Sequence, residues 1–213
     1  MSTRRLPVYL LLDCSSSMTG QPIEQVRQGL RALLHDLSTE PMAIETVYLS
    51  VITFHSTAQQ VIPLTELLQF KEPHIEANGA TALGAALRLL KDRLDKEVRK
   101  NTEDQKGDWK PLVFLMTDGM PTDAWEVAAD DIKKQKIANL IAFAAGPGAE
   151  VKNLKQITET VLKSDDLSPG TLKAFFQWMS QSILRTGKSV QVMTQEGTPV
   201  DLPPPPPQIQ IVP

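Results

Sequence analysis

Three uninterrupted apolar runs constrain this chain most: Val8-Tyr9-Leu10-Leu11-Leu12, Leu112-Val113-Phe114-Leu115-Met116 and Leu140-Ile141-Ala142-Phe143-Ala144. A strand wetted on one face alternates apolar with polar residues. A continuous run suits a strand covered on both faces, the situation in a parallel sheet flanked by helices. Between the runs lie residues with helical spacing: Ile23, Val26, Leu30, Leu33, Leu34 and Leu37, with Pro22 in the tolerated first turn, then Leu83, Leu87, Leu90, Leu94 and Val98. Ser168-Pro169 opens a last helix whose apolar face carries Leu172, Phe175, Phe176, Met179 and Ile183.

Residues 46–54 are rich in β-branched and aromatic side chains and read as a strand. The short link His55-Ser56-Thr57 leads to Gln59-Gln60-Val61-Ile62 and suits an antiparallel hairpin, being too short for a helical crossover. Asp123 with Glu126 reads as a capping box that opens a short helix, and Thr160-Val161-Leu162 as a short last strand. The fold class expected is therefore α/β: an open, mostly parallel six-stranded sheet with one antiparallel edge strand and helices on both faces. Residues 1–186 form one domain in this reading. Residues 187–213 form a proline-rich tail, five consecutive prolines at 203–207 favouring a stiff polyproline II segment that lies along the domain, stays mobile or docks into a partner groove.

The chain of 213 residues has a formal net charge of -3 and no dense Lys/Arg stripe, so a nucleic-acid partner is not expected. The single cysteine, Cys14, cannot form an internal disulfide, which fits a reducing compartment, and it reads as a small buried filler. No stretch has the length of a membrane span, and the first apolar run is too short for a secretory leader. The expected location is cytoplasmic, with no membrane partner.

The chemistry is carried by three stretches that such a sheet brings to the carboxyl ends of its strands. The first apolar run ends in Asp13-Cys14-Ser15-Ser16-Ser17. The second ends in Thr117-Asp118-Gly119, and Asn78-Gly79-Ala80-Thr81 leads into the long helix. Two carboxylates and three hydroxyls gather there with almost no basic residue nearby in sequence. Carboxylates crowded together repel unless a cation offsets them, and an all-oxygen donor set favours Mg²⁺, with Mn²⁺ or Ca²⁺ as alternatives, over zinc. Neutral hydroxyl ligands leave the ion able to take a further carboxylate.

D-x-S-x-S after the first strand, Thr81 before a helix and T-D-G after a later strand resemble the metal-ion-dependent adhesion site of von Willebrand factor A domains, over roughly residues 5–186. Leu12-Asp13-Cys14-Ser15-Ser16-Ser17-Met18 and Thr81-Ala82-Leu83-Gly84-Ala85-Ala86-Leu87 are most similar to the small bacterial TerY-type branch, which is associated with tellurium-resistance and stress-response clusters. The resemblance implies that Ser15 and Ser17 bind the metal through their hydroxyls. Thr81 would bind directly or through water, and Asp13 and Asp118 act largely through water. It also implies a protein partner whose Asp or Glu completes the octahedron, with a protein kinase and a metal-dependent protein phosphatase as candidates, and no catalysis by this chain. Ser16 and Ala80 stand where the family often has glycine.

A metal-assisted phosphohydrolase is the rival reading. It lacks a general base other than Asp13 and Asp118. A dehalogenase-type nucleophile at Asp13 would need a carboxylate at position 15, which is Ser. His35, His55 and His74 lack zinc spacing, and Trp125 is expected as an exposed aromatic near the metal rim.

Overall fold

The computed structural model describes residues 4–192 and 202–213. The first run becomes β1 (Leu6–Asp13), buried at every position. It is followed by α1 (Gln21–Ser38), α2 (Pro41–Thr46), β2 (Val47–Phe54), β3 (Ala58–Glu66) and α3 (Leu83–Glu97). Then come β4 (Leu112–Thr117), α4 (Glu126–Lys133), β5 (Asn139–Ala145), α5 (Val151–Lys155), β6 (Thr160–Ser164), α6 (Pro169–Val192) and β7 (Gln210–Val212).

The sheet order is β3-β2-β1-β4-β5-β6-β7. β1 pairs in parallel with both β2 and β4, so the chain turns one way after β1 and the other way after β4. The pleat sends alternate residues of β1 to opposite faces. Leu6, Val8, Leu10 and Leu12 join a core with α1 and α6, while Tyr9 and Leu11 join a second core with α3, α4 and α5. Helices cover both faces, as the uninterrupted runs require.

The sheet has seven strands, one more than expected, and two antiparallel edges instead of one. β3 closes one edge against β2, and β7 closes the other against β6. The seventh strand comes from beyond the prolines. Ile209 is buried, Lys155 Nζ donates to the Val212 carbonyl at 2.7 Å, and the Trp178 indole N–H donates to the Pro203 carbonyl at 2.9 Å. The last helix begins as expected: Ser168 Oγ accepts the Thr171 N–H, and the helix runs to Val192.

α1 and α6 approach closely at Gly29, where an added β-carbon would stand 2.1 Å from the Phe176 ring. Phe176 is fully buried, so its ring can move only against other core side chains. Gly29→Ala is therefore expected to destabilise the fold by about 1–3 kcal/mol through overpacking, despite the better helix propensity of alanine. Urea unfolding measures it; unchanged stability would mean that the two helices can slide apart without cost.

Candidate metal centre

β1 and β4 are neighbours at the point where strand order reverses, and their carboxyl ends place Asp13 beside Thr117 and Asp118. Asp13 is 1% exposed and makes two hydrogen bonds that shape the loop after it. Its Oδ1 accepts the Ser15 N–H at 2.8 Å, folding the chain back, and its Oδ2 accepts the Thr117 hydroxyl at 2.5 Å, tying β1 to β4. The Ser15 and Ser17 hydroxyl oxygens stand 3.0 Å apart, and the Ser17 hydroxyl donates to Asp118 Oδ1 at 2.8 Å.

The third stretch reaches the same place through the backbone. Ser16 N–H donates to the Gly79 carbonyl at 3.0 Å, and Asn78 N–H to the Cys14 carbonyl at 2.8 Å. Gly79 has φ +71, and a β-carbon on it would fall 2.3 Å from Ser56 Oγ, so both conformation and space call for glycine. Ser16 and Ala80 need no such freedom, because no non-glycine residue among those described has a positive φ. Thr81 exchanges hydrogen bonds with Thr122, its N–H donating to Thr122 Oγ1 and its carbonyl accepting the Thr122 N–H. Its own hydroxyl lies 3.4 Å from where a β-carbon on Gly119 would stand. Four of the five residues singled out from the sequence, Asp13, Ser15, Ser17 and Asp118, thus form one hydrogen-bonded group through Thr117 and the loop backbone. Thr81 borders it at Gly119.

Asp118 is 6% exposed. Burial foremost pushes the Asp13 carboxyl up to about 6, with the neighbouring Asp118 charge adding to it, and burial also raises Asp118. Among the described residues the hydrogen-bond partners of both carboxylates are hydroxyls and backbone amides, with no cationic side chain. The residues present fit a hard divalent cation. Oxygens about 2.1 Å from Mg²⁺ stand about 3.0 Å apart along an octahedral edge, the spacing of Ser15 Oγ, Ser17 Oγ and Asp118 Oδ1. A cation would also supply the positive charge that the two desolvated carboxylates lack.

Two expectations are corrected. Asp123 does not cap α4 through a box with Glu126; α4 has no side-chain cap. Its carboxylate instead accepts the N–H groups of Gly84 at 2.8 Å and Ala85 at 2.9 Å, capping α3 from across the fold. Trp125 is not exposed at the rim: it is 6% exposed and packs between α3 and α4, where an adjacent apolar helix face outcompetes solvent. Thr117, Thr122 and Asp123 are the residues that position the site and that sequence reading did not assign. Thr117 had a signal, standing beside Asp118 in the motif; the other two act through tertiary contacts alone. Cys14 is buried, which pushes its thiol up to about 12 and suits a filler.

Because Asp123 satisfies two N–H groups at the helix that follows Thr81, Asp123→Ala is expected to cost about 1–2 kcal/mol and to weaken metal binding. Thermal unfolding and titration with Mg²⁺ read the two effects. A destabilised variant with unchanged metal affinity would separate Thr81 from the site.

The family model for the von Willebrand factor type A domain matches residues 8–171. A von Willebrand factor A domain-containing protein of Dictyostelium discoideum is 24% identical over 208 residues, covering 86% of this chain and 22% of its own length. The chain therefore spans about a fifth of that relative. The von Willebrand factor type A structure from Catenulispora acidiphila superposes with TM-score 0.65 at 18% identity, over 86% of this chain and 43% of that one. Proximal thread matrix protein 1 of the mussel byssus, with a zinc-occupied metal-ion-dependent adhesion site, superposes with TM-score 0.62 at 17% identity, over 85% and 48% of the two chains.

Proposed function

The chain belongs to the von Willebrand factor type A family, and from that premise we propose that it is a metal-dependent protein-binding module and not an enzyme. Ser15, Ser17 and Thr81 would hold one divalent cation, with Asp13 and Asp118 orienting the hydroxyls and offsetting charge. The bound ion supplies Lewis acidity toward a carboxylate from outside. The observation that carries this reading is the pair of desolvated carboxylates joined to serine hydroxyls at octahedral-edge spacing, without a cationic side chain. Ser17 is exposed, so the same group opens to solvent, where a partner's Asp or Glu can reach it.

Mg²⁺ is the proposed ion, on the preference of hard oxygen donors. Zinc in the adhesion site of the mussel protein makes Zn²⁺ an arm of the test. The TerY-like segments around Ser15 and Thr81 support a bacterial stress or tellurium-resistance phosphorylation system as the setting, with a protein kinase or metal-dependent phosphatase as partner, in the cytoplasm. Among the described residues no helix is long and apolar enough to cross a membrane.

Calorimetric titration with Mg²⁺, Mn²⁺ and Zn²⁺, coupled to capture of a candidate kinase with and without chelator, tests the reading. One-site binding and chelator-sensitive capture are expected. Flat titrations with all three ions would remove its basis. Turnover of an aryl phosphate that disappears in Asp118→Asn would replace it with a metal-assisted phosphohydrolase.

A further inference from the structure

The opposite pole of the sheet carries charge of the other sign. Arg4 precedes β1, Trp109 and Lys110 precede β4, and Lys136 precedes β5, so all stand at the amino ends of central strands. Arg99 and Lys100 follow α3 and close the ring. Together they line a surface depression of about 600 Å³. β1 has eight residues, so its length alone puts about 25 Å between this depression and the metal centre.

Among the described residues the only acid in the lining is Asp108, and it is already neutralised. Arg5 grips it with two hydrogen bonds, Nε to Oδ1 at 2.8 Å and Nη2 to Oδ2 at 2.5 Å, and the Arg99 N–H also donates to Oδ2. Arg4 is committed too, donating to the Gly107 and Asp108 carbonyls and lying over the Trp109 ring, 5.6 Å from its centroid. Arg99, Lys100, Lys110 and Lys136 are exposed, and none enters an ion pair among the described residues. Four uncompensated cations around one concavity are unexpected in a chain of net charge -3. Like charges repel, and converging field lines in such a hollow concentrate anions.

We propose that this depression is a binding site for a compact polyanion, a small molecule carrying two or more phosphate groups. Concavity and size favour that class over an extended nucleic acid or a flat anionic membrane. The hollow has the volume of a small-ligand site, the cations ring it instead of running in a stripe, and the acidic remainder of the chain repels a long polyanion. Nucleoside triphosphates and inorganic polyphosphate share this chemistry. Trp109 at the rim provides a local reporter, because Trp125 and Trp178 are buried.

The full chain, kept in chelator so that no metal centre competes for phosphate, is titrated with inorganic tripolyphosphate and separately with ATP, following tryptophan emission and heat. Saturable binding is expected, lost in proportion to salt and weakened about tenfold or more by the double reversal Lys100→Glu/Lys110→Glu. Trp109→Phe should remove the optical change and keep the heat. Equal affinities would assign the site to the phosphate chain alone, and tighter ATP binding to a nucleotide. The reversal variant should titrate normally with Mg²⁺, showing an intact fold and an independent site. Absence of binding at millimolar tripolyphosphate, or affinity unchanged in the reversal variant, overturns the proposal. So does tighter binding to a single-stranded oligonucleotide or to vesicles of anionic lipid.

Discussion

Asp13→Asn should abolish Mg²⁺ binding and at the same time make the metal-free protein more stable at pH 7. The carboxyl of Asp13 is 1% exposed and is held protonated up to about pH 6 by burial, against an ordinary value of 3.8. The folded state therefore favours the neutral acid. That contribution is fully present below about pH 4, declines as pH rises, and is gone above about pH 6, where folding must hold an ionised carboxylate out of water. A rise of about two units corresponds to about 3 kcal/mol. Asparagine removes the charge and keeps the shape. Its carbonyl can still accept the Ser15 N–H, and its amide can donate to Thr117 Oγ1, whose proton then turns toward the Gly119 carbonyl 3.5 Å away. Allowing for imperfect geometry, the gain is about 2 kcal/mol, or about 4–8 °C in Tm for a chain of this size. Urea titrations in chelator between pH 4 and pH 7 should show wild type losing stability toward neutrality relative to the variant. Excess Mg²⁺ should restore wild type alone. A variant less stable than wild type at pH 7 would show that the Asp13 charge is already compensated within the protein.

Stability sacrificed at one residue is a mark of a ligand site, and it connects the sequence to the proposed function. The elements legible in the sequence were those whose reason is local or periodic. β1, β4 and β5 announced themselves because burial on both faces removes every polar residue from the run. The β2–β3 hairpin was legible because three residues cannot hold a crossover. The stretches bearing Asp13, Ser15, Ser17 and Asp118 were legible because strand ends at the reversal point of such a sheet must meet. What escaped was decided by tertiary contact. Asp123 and Glu126 have capping-box spacing, yet the N–H groups of Gly84 and Ala85 compete for Asp123 across the fold, and no local pattern records that. Trp125 stands near the rim in sequence, but α3 and α4 offer it an apolar seat. Ile209 and Ile211 alternate with Gln208 and Gln210 in sequence, but β7 has only three residues, and its pairing depends on where the preceding prolines lead it.

Because that edge rests on so few residues, one substitution should undo it: Ile209→Asp is expected to release β7 and cost about 3 kcal/mol or more. Ile209 is 3% exposed and belongs to the same core as Trp178 and Leu162, so a carboxylate there is desolvated without a partner or has to leave. When it leaves, the β6 ladder from Val161 to Lys163 loses its antiparallel neighbour, Lys155 loses the Val212 carbonyl, and the Trp178 indole loses Pro203. Tryptophan emission should move to the red as Trp178 meets water. The bared β6 edge should promote self-association, visible as earlier elution at higher protein concentration. Ile211→Asp is the control: two residues further on, inside β7, and 57% exposed, it should change stability by no more than about 0.5 kcal/mol. Equal effects of the two substitutions would mean that burial at Ile209 does not anchor the strand, and an unchanged emission maximum in Ile209→Asp would mean that Trp178 stays covered without it.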